Sequence, residues 1–221
     1  MVINFHSALF AIGALAALAI YRYLTRTQRS SAAASVDLLL VFGGGLLGAR
    51  FLWALWEGGQ TPLSFLSFWD VGLISWGGIA VGALIAYWRL RVQPDAARLM
   101  AALLTAILVG WTIGRLGNFW QGDAFGVPLL GGLSWWQGRV PIQIMEAGVT
   151  LILAIWLSGR LARPAIGRDL WWAALVYGVS RILIDSWRDL PALWWVFNGS
   201  QLAALALTVC AIIGLWRHKK P

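Results

Sequence analysis

Five arginines in this sequence lie in strongly apolar surroundings: Arg50, Arg115, Arg139, Arg181 and Arg188. A charged side chain at membrane depth is unfavourable unless it is paired or hydrated, so a functional site is the first hypothesis. The planar guanidinium fork suits a phosphate because it offers parallel N–H donors to two oxygens. The chemistry expected of these arginines is therefore binding of an anionic group and stabilisation of negative charge that develops on it.

Two of these arginines have the spacing of a helix face. Tyr177, Arg181, Asp185 and Arg188 recur at intervals of four, four and three residues, which places them on the same side of a helix. Asp185 can pair with either arginine, so two arginines and one carboxylate leave one positive charge without a counterion. An ion pair explains two of the three charged residues, and an anionic ligand such as a phospholipid phosphate explains the third.

A second group lies in the segment Gly114–Gly126, which combines four glycines, an arginine, two amides and a carboxylate within thirteen residues. Glycines permit a ligand to approach the backbone closely, and amides can orient a headgroup by hydrogen bonds. Aromatic side chains alternate with these polar groups, which favours a lined cavity open to lipid over a solvated turn. The candidates in this segment are Arg115, Asn118, Gln121, Gly122, Asp123 and Gly126.

The composition indicates that membrane-spanning helices position these residues. The 221-residue chain is 60% hydrophobic and only 12% charged, with sixteen tryptophans. An ordinary soluble domain carries about 25% charged residues, and indole rings favour the headgroup level of a bilayer. A span needs about 20 mostly apolar residues. Seven runs are predicted to form such helices: Val2–Leu24, Ser35–Trp56, Val71–Leu90, Leu99–Ile113, Val140–Ser158, Leu170–Trp187 and Leu193–Trp216.

We therefore expect an all-α integral membrane protein with seven transmembrane helices, in a single transmembrane domain that covers residues 1–221. Residues 114–139 are rich in glycine and polar side chains, so they are predicted to form irregular backbone on the outer side. The single cysteine, Cys210, lies in an apolar run and is expected to be buried. Glycines four residues apart predict close helix packing. These pairs are Gly44 and Gly48, Gly78 and Gly82, and Gly110 and Gly114.

The other basic residues indicate the orientation of the helices. Twelve of the seventeen lysines and arginines follow the first, third, fifth and seventh runs, and the positive-inside rule makes these connections cytoplasmic. The N-terminus is then outside and the C-terminus is cytoplasmic. The formal charge of +8 follows from this topology, so no nucleic acid partner is expected. The first run lacks a basic n-region and a small-residue cleavage site, and no cleavable signal peptide is expected.

Several ordered motifs resemble the prolipoprotein diacylglyceryl transferase family. Gly114–Gly126 is similar to the family's Gly-Arg-x-Gly-Asn-Phe signature, which is followed there by Asn-Gly-Glu and a further Gly. Other blocks resemble the family in the same order along the chain. These are Gly48–Arg50, Trp69–Gly72, Trp76–Gly78, Pro141–Glu146, and Tyr177 and Gly178 with Arg181, Asp185 and Arg188.

This resemblance implies a multi-pass transferase of the bacterial cytoplasmic (inner) membrane that acts in lipoprotein biosynthesis. Enzymes of this family move a diacylglyceryl group from phosphatidylglycerol to the thiol of a lipobox cysteine. The partners implied are phosphatidylglycerol, a prolipoprotein signal peptide and membrane lipids, and no cofactor or metal is expected.

The resemblance also implies roles for individual residues. Arg115 and Arg181 would stabilise the leaving phosphate, and Asp123 and Glu146 would organise the arginines or take the thiol proton, which makes these four the catalytic candidates. The candidates for binding substrate lipid are Arg50, Trp76, Asn118, Gln121, Gly122, Gly126, Gln143, Tyr177, Asp185 and Arg188.

The chain departs from the family pattern at several positions, three of them among the candidate site residues. Trp76 stands where the family has a histidine, and an indole cannot accept a proton from a thiol. Gln121 stands in place of the family's Asn, and Asp123 in place of its Glu. Three interpretations remain open: a diacylglyceryl transferase with another base, a divergent membrane transferase with a different acceptor, and a non-catalytic lipid-binding or scaffold protein.

Overall fold

The computed structural model describes residues 5–56, 72–122, 126–128, 138–188 and 197–218. Within these residues the chain forms seven α-helices and no β-strand, which confirms the expected all-α class for this part of the chain. The helices are α1 (Phe5–Leu24), α2 (Ser31–Trp56), α3 (Ser75–Leu90), α4 (Ala96–Gln121), α5 (Ile142–Ser158), α6 (Ile166–Asp185) and α7 (Gly199–Arg217).

Several of these helices have the properties of membrane spans. Among the described residues, α2, α4 and α7 are long and apolar enough to cross a bilayer, and shorter apolar stretches cover Ala8–Leu24 and Ile142–Ser158. Large aliphatic side chains face outward, since Leu15 in α1 and Ile152 in α5 are each 67% exposed. A surface of this kind is solvated by lipid rather than by water. The chain is therefore a helical membrane protein.

The chain divides into two compact units, which are described separately. The first comprises Met1–Tyr21 and Ala101–Pro221, and the second comprises Arg22–Met100. In the first unit, α6 packs against both α5 and α7, whereas in the second unit α2 packs against α3. The single transmembrane domain expected over residues 1–221 stays a prediction.

Glycines allow helices within each unit to approach closely. In the second unit, a Cβ atom at Gly48 of α2 would lie 2.6 Å from the carbonyl oxygen of Gly77 in α3. In the first unit, a Cβ atom at Gly110 of α4 would lie 2.7 Å from the carbonyl oxygen of Gly13 in α1. Neither position can hold a larger residue unless the helices move apart. The packing role predicted for Gly48 and Gly110 is confirmed.

The predicted end of the fourth helix is wrong. Instead of ending at Ile113, α4 continues through Gly114 to Gln121. Glycine destabilises a soluble helix by about 1 kcal/mol relative to alanine, but backbone groups in lipid must be hydrogen-bonded within the chain, and this requirement outweighs the glycine penalty. Irregular backbone in the described part of 114–139 is confined to 122, 126–128 and 138–139. Gly122 ends α4 with a φ of 80°, a conformation that glycine adopts without strain.

Cys210 is exposed on α7, whereas the sequence predicts a buried thiol. Its neighbours Val209 and Ile212 are exposed as well, at 47% and 54%. An apolar run in a membrane helix does not imply burial inside the protein, because lipid tails are as apolar as a protein core. The prediction failed because it applied the rule for soluble proteins to a surface that faces lipid.

Candidate active site

The first unit holds a cluster of five charged side chains, all of which are sequence-predicted site residues. Arg115 comes from α4, Glu146 from α5, and Arg181 and Asp185 from α6, while Arg188 follows α6 directly. Glu146, Arg181 and Asp185 are at most 2% exposed. Residues more than seventy positions apart in the chain, such as Arg115 and Arg188, are thereby brought to one buried place.

Glu146 is the centre of this cluster, because three guanidinium groups converge on its carboxylate. Nε of Arg115 lies 2.5 Å from Oε2, and NH2 of Arg188 lies 2.9 Å from Oε1. NH1 of Arg181 forms an ion pair with the same Oε1. A carboxylate engaged by three cations is poorly suited to take a thiol proton. Of the two roles expected for Glu146, the geometry favours that of organising the arginines.

Asp185 connects Arg181 of α6 and Arg188, which follows α6, to the start of α7. Its Oδ2 accepts from NH2 of Arg181 at 3.0 Å, and its Oδ1 lies 3.5 Å from Nε of Arg188. These are the i,i+4 and i,i+3 pairs that the sequence spacing predicts. Ser200 Oγ donates to Oδ2 of Asp185 at 2.5 Å and accepts from NH2 of Arg181 at 3.1 Å.

The contacts of α7 with this cluster were not predicted from the sequence, although the sequence contains a capping pattern at the start of this helix. Asn198 and Gln201 form a capping box, in which each side chain accepts a hydrogen bond from the other residue's backbone N–H. Nδ2 of Asn198 also donates to the carbonyl oxygen of Asp185 at 3.2 Å. Asn-Gly-Ser-Gln before an apolar run is the sequence pattern of such a box. It identifies Gly199, rather than Leu193, as the start of the helix.

The described members of the cluster carry one positive charge in excess, because three guanidinium groups face two carboxylates. Some donors are also unused. Nε of Arg181 and Nε of Arg188 are buried and make no hydrogen bond with the described residues. A buried cation without a counterion is unfavourable, and a buried donor without an acceptor is unfavourable as well. A phosphate would satisfy both, since it brings negative charge and several acceptor oxygens.

The aromatic ring of Trp111 lies one helical turn before Arg115 on α4 and packs against its guanidinium. The distance from Cζ of Arg115 to the ring centroid is 4.9 Å, within the range of a cation–π contact. The next residue of α4, Thr112, is hydrogen-bonded to Thr150 of α5, and their Oγ1 atoms are 2.8 Å apart. These contacts fix the rotation of α4 and thereby the direction in which Arg115 projects.

The segment around Gly126 connects the beginning of α5 to the end of α6. The N–H of Gly126 donates to the carbonyl oxygen of Val140 at 2.9 Å, and its own carbonyl oxygen accepts from Nε of Arg139 at 2.8 Å. A Cβ atom at Gly126 would collide with the carbonyl oxygen of Trp187. Close backbone packing therefore explains a glycine here, while the predicted contact of Gly126 with lipid stays a prediction.

The other predicted residues of the first unit lie near the cluster along the same helices. Gln143, which is 1% exposed, lies in the first turn of α5, three residues before Glu146. Tyr177 lies one turn before Arg181 on α6. Further candidates stand at the end of α4 or after it: Asn118 is half-buried, Gln121 is exposed, Gly122 ends the helix, and Asp123 lies outside the described residues.

Arg50 and Trp76 belong to the second unit. Arg50 in α2 is 3% exposed, and its NH1 donates to the carbonyl oxygen of Gly72 at 2.9 Å. Its guanidinium also stacks on the ring of Trp53, with Cζ 4.3 Å from the centroid. Trp76 is half-buried in the first turn of α3, and the family-like residues 69–71 that precede it lie outside the described residues.

A second ion-pair cluster, not predicted from the sequence, lies in the second unit around Asp37. This residue is fully buried in α2, and its carboxylate pairs with Arg29 at 2.6 Å and with Arg89 at 2.9 Å. Arg29 also donates to the side chain of Gln93 at 3.2 Å. The cluster ties the start of α2 to the end of α3. An acidic residue within an apolar run was the available signal.

The fold and the cluster together define a multi-pass helical membrane protein with a buried cluster of charged side chains, in which the described cations outnumber the carboxylates by one. The family model of prolipoprotein diacylglyceryl transferase matches residues 1–217, and the chain belongs to this family. Three relatives are each named phosphatidylglycerol–prolipoprotein diacylglyceryl transferase. The protein of Beijerinckia indica subsp. indica is 28% identical over 213 residues, with 83% of this chain and 74% of the relative covered.

The two other relatives are similar to the chain to the same degree. The protein of Nitratidesulfovibrio vulgaris is 28% identical over 192 residues, which cover 81% of this chain and 72% of the relative. The protein of Geobacter sulfurreducens is 29% identical over 207 residues, which cover 84% of this chain and 78% of the relative. The similarity extends over most of each protein.

Proposed function

We propose that this protein transfers a diacylglyceryl group from phosphatidylglycerol to the lipobox cysteine of a prolipoprotein, in the bacterial cytoplasmic membrane. The observation that carries the proposal is the buried cluster of Arg115, Arg181 and Arg188, whose charge exceeds that of Glu146 and Asp185 by one. Membership of the family supports the same activity, since its relatives are named for it.

The reaction requires stabilisation of the negative charge that develops on the leaving phosphate. The substrate sulfur attacks the glycerol carbon that carries the phosphate, so a C–S bond forms as the C–O bond breaks. The electron pair of the broken bond leaves with glycerol phosphate, and the phosphodiester monoanion becomes a monoester dianion. Guanidinium donors that are already in place in a low-dielectric site stabilise this added charge without reorganisation.

Arg115 and Arg181 act on the leaving oxygen in this proposal. Asn118 and Gln121 orient the headgroup by hydrogen bonds, and Tyr177 holds a phosphate or glyceryl oxygen. Because Glu146 is engaged by three arginines, Asp123 is the carboxylate proposed to accept the thiol proton.

The proposed topology has seven transmembrane helices in one domain, with the N-terminus outside and the C-terminus in the cytoplasm. The four basic connections support this orientation through the positive-inside rule. The end of α4, the start of α5 and the end of α6 then lie towards the outer side. The arginine cluster would accordingly meet lipid from the outer leaflet and a signal peptide that has crossed the membrane.

A direct transfer assay tests the function. The purified protein is incubated in detergent with phosphatidylglycerol labelled in its acyl chains and with a synthetic lipobox peptide, and label on the peptide is followed by time. We expect label on the peptide that contains cysteine and none on a matched peptide with serine at that position. Binding of phosphatidylglycerol without any transfer would favour the scaffold interpretation, and transfer to other acceptors alone would favour the divergent transferase.

A further inference from the structure

We propose that a groove between α6 and α7 binds an anionic phospholipid at a place separate from the arginine cluster. The groove has a volume of about 410 Å³ and is lined by Arg168, Trp172, Ile212, Leu215 and Trp216. It lies where α6 begins and α7 ends. Arg181 follows Arg168 by thirteen residues (168 to 181) on the same helix, which separates the two along the helix axis by about 20 Å.

The charged end of the groove is Arg168, in the first turn of α6. Its side chain is exposed and makes no ion pair or hydrogen bond with the described residues. The adjacent Asp169 does not neutralise it, because that carboxylate is buried and pairs with Arg160 at 3.0 Å. The N-terminus of a helix adds partial positive charge. This end of the groove is therefore suited to an anion.

The rest of the groove is apolar. Ile212 and Leu215 come from α7, while the indole rings of Trp172 and Trp216 are 44% and 59% exposed. Gly214 lets the helices approach here, since a Cβ atom at this position would collide with the ring of Trp171. Exposed indoles at the ends of membrane helices mark the headgroup level of a bilayer.

A cation at headgroup level above an apolar surface matches an amphipathic anion, with its phosphate on Arg168 and an acyl chain along Ile212 and Leu215. A free phosphate would use the arginine but leave the apolar side unoccupied. Basic sites between helices at the membrane surface attract acidic lipids in this way. By the orientation proposed above, this lipid belongs to the cytoplasmic leaflet, on the opposite side from the cluster around Glu146.

Photolabelling of the full-length protein tests this site. The protein is reconstituted in phosphatidylcholine vesicles that contain a phosphatidylserine analogue with a diazirine in its acyl chain, and the labelled peptides are mapped by mass spectrometry. We expect label within 168–172 or 212–216, and we expect Arg168→Gln to reduce it by about fivefold, the effect of one basic residue near an anionic surface. Trp172→Leu should also reduce the labelling.

Arg163→Gln is the matched control, because it removes a basic residue of the same connection that does not line the groove. It should leave labelling unchanged, as should Arg115→Lys, so the result does not depend on the transfer reaction. The proposal is overturned if a phosphatidylcholine analogue labels the groove as strongly, if Arg168→Gln has no effect, or if the label falls elsewhere on the chain.

Discussion

Replacing Arg181 or Arg115 by lysine keeps one positive charge but removes the planar fork that the proposed mechanism needs. Arg181 uses NH1 for Glu146 and NH2 for Asp185 and Ser200, so it spans two carboxylates. A lysine ammonium is a compact donor without the planar fork, so it cannot reproduce the geometry by which Arg181 spans two carboxylates. Arg115 contacts Glu146 through Nε at 2.5 Å, and the proposed mechanism also assigns its guanidinium to the phosphate.

The size of the effect follows from the contacts that are lost. A hydrogen bond to a charged group contributes about 1.5–3 kcal/mol. If one such contact to the departing phosphate is lost, the barrier rises by about 1.4 kcal/mol or more, which is about tenfold in rate. We therefore expect Arg115→Lys and Arg181→Lys each to lower transfer at least about tenfold. Arg181→Lys should also lower the melting temperature more, because two carboxylate contacts depend on this residue.

The assay is the initial rate of label transfer from phosphatidylglycerol to the lipobox peptide, measured beside a thermal melt in detergent. Arg160→Lys is the matched control, since Arg160 pairs with Asp169 at 3.0 Å beyond the opposite end of α5 and should retain the rate. Arg139→Lys should have a milder effect than the two site variants. If Arg115→Lys and Arg181→Lys both keep the wild-type rate, these arginines do not stabilise the leaving phosphate, and the role proposed for them is wrong.

Four further predictions follow from the site and from the topology. Glu146→Gln should lower the free energy of unfolding by about 3–5 kcal/mol, because three buried cations lose their common partner; an unchanged denaturation midpoint would contradict this. The transfer rate should rise between about pH 6 and pH 9 as the substrate thiol, with an ordinary pKa of about 8.5, loses its proton; a flat profile with chemistry rate-limiting would exclude a thiol that titrates freely. Trp111→Leu should weaken transfer more than Trp111→Phe, since phenylalanine keeps a ring against Arg115; equal rates would show that the stacking is unimportant. Single cysteines at Arg98, Arg163 and His218 should resist an impermeant thiol reagent in intact cells, and efficient labelling at two of them would reject the proposed orientation.

The part of the site that lies on one helix could be predicted from the sequence. Residues four positions apart share a face of a helix, so the pairing of Asp185 with Arg181 follows from spacing, while Arg188 pairs with Asp185 from the turn after α6. The role of Glu146 as the common partner of three arginines could not be predicted in this way. It depends on the rotation and the register of α5 against α4 and α6, which helix periodicity does not determine.

Other misses have equally specific causes. α4 runs past Gly114 because a membrane helix tolerates glycine better than soluble helix propensities suggest. The contribution of Ser200 was missed because the predicted start of the seventh helix placed this residue inside a span, although the Asn198–Gln201 capping pattern was present. The pairing of Asp37 could not be predicted from spacing, because Arg29 lies before α2 and Arg89 lies on α3.

The sharing of Glu146 by three arginines also constrains how this protein can evolve. Two residues that form a simple ion pair can be exchanged through a charge swap, in which the second change rescues the first. No such path exists here, because any change at Glu146 alters the environment of Arg115, Arg181 and Arg188 at once. Substitutions at these positions should show strong epistasis: the change in free energy of a double mutant should differ from the sum of the changes in the two single mutants. Drift in this family is then expected to proceed around the cluster, while Glu146 and its three arginines change together or not at all.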